Sequence, residues 1–143
     1  MSDDVTGAGP IIVGVVVTHG AMAQGMVDAV QRITGEDALE PVSNEGKTPE
    51  ELRAEILELV GDSPAVVLTD LGAGRCTLAA RLSCRDRAQV AVVTGVNLPM
   101  LLDFVFHRTL SVDELVERLV TKGREGVRLL TSPGKHADPA VPR

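Results

Sequence analysis

GVVVTHGAMAQGM (residues 14–26) changes character halfway along. Three consecutive valines lead to Thr18 and His19, and the chain then passes through the small residues Gly20 and Ala21. Upstream the run extends to IIVGVVV (residues 11–17), continuous, apolar and β-branched. Such a run suits a strand covered on both faces, as in a parallel sheet. Downstream, Met22, Met26, Ala29, Val30 and Ile33 recur at helical spacing, and Gly35 is a natural stop. A buried strand that turns through small residues into a helix opens a βαβ unit, and His19 stands at the strand's carboxyl end.

The rest of the chain repeats this alternation. Residues 38–42 read as a short second strand. Thr48-Pro49-Glu50-Glu51 then opens a helix: Thr48 suits the N-cap, Pro49 the first turn, and Glu51 completes a capping box. Leu52, Ile56, Leu59 and Val60 form its inner stripe. AVVLT (Ala65–Thr69) is a third strand, Arg75–Ser83 a helix, and QVAVVT (residues 89–94) a fourth strand. Residues 97–106 read as a helix that tolerates Pro99 in its first turn. Ser111-Val112-Asp113-Glu114 repeats the capping pattern before a long helix, with Leu115, Leu119, Val127 and Leu130 as inward candidates and Gly123 and Gly126 weakening its middle. The expected fold is α/β, an open, doubly wound, mainly parallel sheet of four strands with flanking helices. Residues 1–10 are expected to be a flexible N-terminus, 11–131 the domain, and 132–143 a flexible tail.

Composition narrows the function. Aromatic residues make up 1% of the 143 residues, so no stacking platform for bases exists. The net charge is −6, and no Lys/Arg run supplies the basic face that releases phosphate counterions. Nucleic acid and anionic membrane are therefore discounted as partners. Cys76 and Cys84 fit neither a disulfide framework nor a common zinc spacing, and read as buried free thiols in a reducing compartment. MSDDVTGAGP is acidic and polar, unlike a signal peptide, and no apolar run reaches the ~20 residues of a membrane span. A cytoplasmic protein without metal or cofactor is the expectation.

In open α/β sheets, ligands bind at the carboxyl ends of strands, near a switch in strand order. Three polar clusters fall there: Thr18-His19, Asp70 and Gly95-Val96-Asn97. If His19 meets Asp70, a carboxylate accepting one imidazole N–H fixes the tautomer and leaves the other ring nitrogen basic. That nitrogen can act as base, metal ligand or nucleophile. Gly20 and Ala21 permit close approach, and N–H groups opening the next helix can hold an anion. Taken alone, His19 also fits a helix cap and Asp70 a turn residue. His107 and His136 receive no role. Gly72-Ala73-Gly74-Arg75 lacks the third glycine of a dinucleotide fingerprint, and Met26 stands where a P-loop would need lysine.

VTHGAMAQGM with ITGE, LTDLGAG with LAARL, GVNLPMLLD and KGREGV occur in this order on the expected strand ends. With these pieces the chain resembles the IIA component of the mannose-type sugar phosphotransferase system, from about residue 11 to about residue 130. The resemblance implies a homodimer, in some members with a further C-terminal strand exchanged between subunits. It implies that His19 accepts a phosphoryl group from the carrier HPr through Nε2, with Asp70 holding the Nδ1 proton, and passes it to a IIB component. Gly20, Ala21, Gly72, Gly74 and Arg75 would surround the phosphoryl group.

One loop departs from the family pattern, which commonly runs Asp-Leu-aromatic-Gly-Gly/Ala-Ser/Thr-Pro. Here an aromatic is missing, Gly74 takes the place of the hydroxyl residue and Arg75 that of the proline. Arg75 offers a replacement as a bidentate phosphate ligand. The sequence includes no IIB domain, so either a freestanding IIA-like protein or the IIA part of a chain cut at the linker is expected, serving as a sugar-uptake relay or as a regulatory module read by a partner. A related branch serves dihydroxyacetone-kinase machinery, but GVNLPMLLD and KGREGV favour the mannose-type branch.

Overall fold

The structure, a computed structural model, describes residues 10–134. Residues 1–9 and 135–143, with His136 and most of both expected flexible ends, lie outside the described residues.

Nine elements follow one another along the described chain, strands and helices alternating up to two closing helices: β1 (Val13–Thr18), α1 (Met22–Thr34), β2 (Leu39–Ser43), α2 (Pro49–Val60), β3 (Ala65–Thr69), α3 (Arg75–Ser83), β4 (Val90–Thr94), α4 (Leu98–Val105) and α5 (Val112–Glu125). All strand pairs are parallel, in the order β2-β1-β3-β4. From β1 the chain moves out to β2, then returns to the other side of β1 to form β3. The switch in strand order therefore falls between β1 and β3. Val17 pairs with Thr69 there, so the residues that follow, Thr18-His19 and Asp70, leave the sheet side by side.

The continuous apolar strands are explained by the two cores. Val16, Val66 and Leu68 face α1, α4 and α5, where Val27, Val30, Leu101, Phe104, Leu115 and Leu119 are buried. Val15, Val17 and Val67 face α2 and α3, where Leu52, Ile56, Ala79 and Ala80 are buried. β1 and β3 thus lie between two apolar layers, and at about 25 cal/mol per Å² of apolar surface this burial is the main force holding the sheet. Both capping boxes form. Thr48 Oγ1 accepts the Glu51 N–H at 3.1 Å, and Ser111 Oγ accepts the Glu114 N–H at 3.1 Å.

Two expectations from periodicity are corrected. α5 ends at Glu125, and Val127 and Leu130, expected to point inward, are 79% and 54% exposed. They lie beyond the last turn of α5, and Val127 sits at the rim of an open cavity with Val92, Met100 and Val120 instead of entering the core. Gly123 and Gly126 do not merely weaken α5. A Cβ on Gly123 would lie 2.6 Å from Met100 Cε, and one on Gly126 2.8 Å from Pro99 Cγ. They are the points where α5 closes against the start of α4. On α1 the buried stripe runs through Ala23, Val27 and Val30, leaving Met22 and Ile33 exposed. Cys76 is buried as expected, whereas Cys84, at the end of α3, is only partly covered.

Among the described residues the sheet has four strands, and residues 127–131 form none. No described helix is long and apolar enough to cross a membrane.

Candidate functional site

His19 is the first residue beyond β1 and Asp70 the first beyond β3. One carboxylate oxygen of Asp70 takes both donors of His19: the backbone N–H at 3.0 Å and Nδ1 at 2.8 Å. The other oxygen accepts the Leu71 N–H at 3.0 Å. An ionised carboxylate can only accept, so Nδ1 carries a proton, and in the neutral ring Nε2 then keeps the lone pair. The imidazole is 45% exposed and the Asp70 side chain 9% exposed. A covered acid thus orients a reachable ring. Burial alone would raise the carboxyl pKa of Asp70, but the hydrogen bonds and the imidazole of His19 outweigh it and hold the group below its ordinary value.

The turn after β1 is fixed from three sides. Gly20 adopts a left-handed φ of 58°, which a side chain would strain. Its N–H donates to Asn44 Oδ1 at 3.1 Å, and Thr18 Oγ1 accepts the Ala23 N–H at 2.7 Å. Two of the N–H groups expected to cradle an anion are therefore already engaged. Ala21 stands at the N-cap of α1 without a side-chain cap.

The loop after β3 is tied down by hydroxyls. Thr77 Oγ1 lies 2.9 Å from Thr69 Oγ1 and also donates to the Leu71 carbonyl. Gly72 runs beside Thr94, where an added Cβ would be 3.9 Å from Oγ1. Gly74 turns into α3 with a φ of 104°. Arg75 opens that helix and donates through Nη1 to the Lys47 carbonyl at 3.0 Å, across the loop that follows β2. The third polar cluster does not join the pair. Asn97 Oδ1 caps α4 by accepting the Met100 N–H, and its Nδ2 donates to the Gly123 carbonyl at 2.9 Å.

Sequence reasoning passed over two neighbours of the pair. Asn44 follows β2 immediately, so the rule that selects His19 and Asp70 at strand ends selects it as well. Cys76 carried no such signal. Its Sγ lies within 4.8 Å of donor atoms of both His19 and Asp70. Burial pushes its thiol pKa up, the Asp70 charge adds to this, and Arg75 opposes it.

An open parallel sheet with a carboxylate-oriented, solvent-facing histidine at its switch point defines a class of small α/β proteins whose imidazole nitrogen is placed to serve as base, metal ligand or nucleophile. The chain's relatives make the class specific. Residues 14–120 match the family described as PTS system fructose IIA component, EIIA-man. The chain is 31% identical over 135 residues to the PTS system mannose-specific EIIAB component of Escherichia coli (strain K12), covering 88% of this chain and 42% of that protein. It is 30% identical over 106 residues to the PTS system sorbose-specific EIIA component of Klebsiella pneumoniae, covering 71% of this chain and 78% of the relative. The crystal structure of phosphotransferase system component EIIA from Streptococcus agalactiae superposes with a TM-score of 0.77 at 26% identity, over 82% of this chain and 96% of that one.

The chain belongs to the mannose-type IIA family of the sugar phosphotransferase system. It spans less than half the length of the EIIAB protein it matches.

Proposed function

We propose that the protein is a phosphocarrier in which His19 Nε2 accepts a phosphoryl group from phospho-HPr and passes it to a IIB component. The observation that carries this reading is the 2.8 Å contact between His19 Nδ1 and Asp70 on a ring that is otherwise exposed. The Nε2 lone pair attacks phosphorus, and a new N–P bond forms. The P–N bond of the donor breaks, and its electron pair returns to the donor imidazole. His19 keeps its Nδ1 proton throughout, and the Asp70 carboxylate offsets the positive charge that the ring gains. Both leaving groups are imidazoles, so the transfer is close to thermoneutral and runs in either direction. Catalysis is then mainly positioning and charge stabilisation. Ala21, Gly72 and Gly74 keep side chains away from the incoming phosphoryl group, Gly20 shapes the turn, and Arg75 supplies the nearby cation.

Membership in the family supports the same reading, and the proposal includes a homodimer that pairs along β4. That strand is an edge, and its residues Val90, Ala91 and Val92 are only partly covered. The relay would operate in the cytoplasm.

The test is incubation with phosphoenolpyruvate, enzyme I and HPr, followed by detection of acid-labile phosphate. Incorporation into the wild type that is absent from His19→Ala is the expected result, with rapid discharge when a IIB protein is added. Label that persists in His19→Ala overturns the site. Stable retention of phosphate in the presence of IIB overturns the relay and favours a signalling module.

A further inference from the structure

Three side chains of different chemistry converge at the switch point: the His19 imidazole, the Asp70 carboxylate and the Cys76 thiol. One donor atom from each lies within 4.8 Å of the other two. A tetrahedral Zn²⁺ with bonds of about 2.0–2.3 Å holds its ligands roughly 3.5 Å apart, so a small rotation of the exposed ring closes the gap. Asp70 and Cys76 are buried or nearly so, while His19 opens to solvent. The site therefore has two fixed ligands, one adjustable ligand and access from outside. A carboxylate and a thiolate also bring two negative charges, which balance a divalent cation. Thiolate and imidazole favour zinc-like ions over Mg²⁺ or Ca²⁺, which prefer oxygen alone.

We propose that His19, Asp70 and Cys76 form a site for a thiophilic divalent cation of the Zn²⁺ type, and that filling it switches off phosphoryl acceptance by His19. The second half rests on the function proposed above. Binding replaces the Cys76 thiol proton, which leaves to solvent, and forms bonds from the metal to sulfur, to a carboxylate oxygen and to one ring nitrogen. A neutral imidazole has a single lone pair in its ring plane. Coordination through Nε2 uses that pair directly. Coordination through Nδ1 moves the ring proton to Nε2 and removes the pair from there. Either way no nitrogen remains to attack phosphorus. A carrier with this arrangement would couple the relay to the availability of free zinc.

The direct test titrates the metal-free protein with Co²⁺ and reads the thiolate-to-cobalt charge-transfer band in the near ultraviolet. One equivalent is expected to bind with that band in the wild type and in Cys84→Ser. The band should disappear in Cys76→Ser and His19→Ala, with affinity weakened by more than about tenfold. Excess Zn²⁺ should displace the cobalt, and Mg²⁺ should not. A wild type without the band, or a band unchanged in Cys76→Ser, overturns the site. Because Cys76 is buried and its variant could lose its fold, ¹¹³Cd resonance on the wild type gives a second reading. A shift in the range of sulfur-ligated cadmium is expected, and one in the all-oxygen range overturns the site.

The regulatory half is read with purified phospho-HPr as donor. One equivalent of Zn²⁺ should cut the initial rate by more than about tenfold, and a chelator should restore it. An undiminished rate with zinc bound overturns the switch. Absence of transfer to the metal-free protein overturns the proposed function instead, and the cobalt spectrum still decides the site.

Discussion

A single oxygen of Asp70 holds both the main chain and the ring of His19, at 3.0 Å and 2.8 Å. The acid therefore fixes where the histidine starts and which way its ring turns. Removing it costs orientation as well as tautomer. Asp70→Ala is expected to lower the rate of phosphorylation from phospho-HPr by about 10–100-fold, the usual effect of losing a group that orients a reactive histidine. Asp70→Asn should recover part of the loss, since its amide oxygen still accepts. Quench-flow with labelled phospho-HPr measures both, and equal rates in wild type and Asp70→Ala would remove the positioning role.

The same pair has a signature in acid. Contact with His19 keeps the folded-state pKa of Asp70 below the ordinary carboxylate value. A depressed pKa contributes stability that is fully present above the unfolded-state value of about 3.9 and is lost as pH falls through the lower folded-state value. Urea unfolding between neutral pH and about pH 2 should therefore show a shallower acid limb for Asp70→Asn than for the wild type. Identical slopes would mean that the contact does not persist in solution.

Asn44 anchors the far side of the turn by accepting the Gly20 N–H. Asn44→Ala leaves that donor to water and should reduce stability by about 1 kcal/mol, while slowing phosphorylation without changing its pH profile. Asn44→Asp retains an acceptor and should restore most of the rate. Kinetics indistinguishable from wild type in Asn44→Ala would show that the turn holds without it.

Arg75 is tied to the Lys47 carbonyl at 3.0 Å, so it must give up or share that bond to reach a phosphoryl group. Its net contribution is then expected near the lower end of a charge-assisted hydrogen bond, about 1.5 kcal/mol, or roughly tenfold in rate. Arg75→Ala measured in the phospho-HPr assay checks this, and an unchanged rate rejects a role for Arg75 in the transfer.

Gly14 packs its α-carbon against the Phe104 ring, leaving a Cβ only 2.5 Å from the nearest ring carbon and 2.7 Å from a Leu39 methyl. Gly14→Ala is expected to destabilise the domain by about 1–3 kcal/mol through overpacking, read as a lower urea midpoint at unchanged slope. Phe104→Leu in the same chain should recover part of the loss.

Much of this molecule was legible without coordinates, because it rests on interactions a few residues long. The capping boxes of Thr48 with Glu51 and Ser111 with Glu114 are closed by residues three apart, and both form as read. The unbroken apolar runs of β1 and β3 require cover on both faces, and alternation with helices then makes the sheet parallel. Parallel strands send all their carboxyl ends to one rim, so His19 and Asp70 could be nominated together. Tertiary structure decided what local pattern does not encode. The pairing of β1 with β3 makes His19 and Asp70 neighbours. Asn97, nominated by the same rule, is drawn to α4 and α5, while Asn44, Arg75 and Cys76 took their partners from crossings between elements. The helical repeat gave Val127 and Leu130 an inward phase, but a repeat does not say where the partner helix stops. Short-range hydrogen bonds and alternation depend on covalent spacing and are therefore written in the sequence. Adjacency across the sheet depends on how two apolar layers close around it, and that is settled only when the whole chain packs.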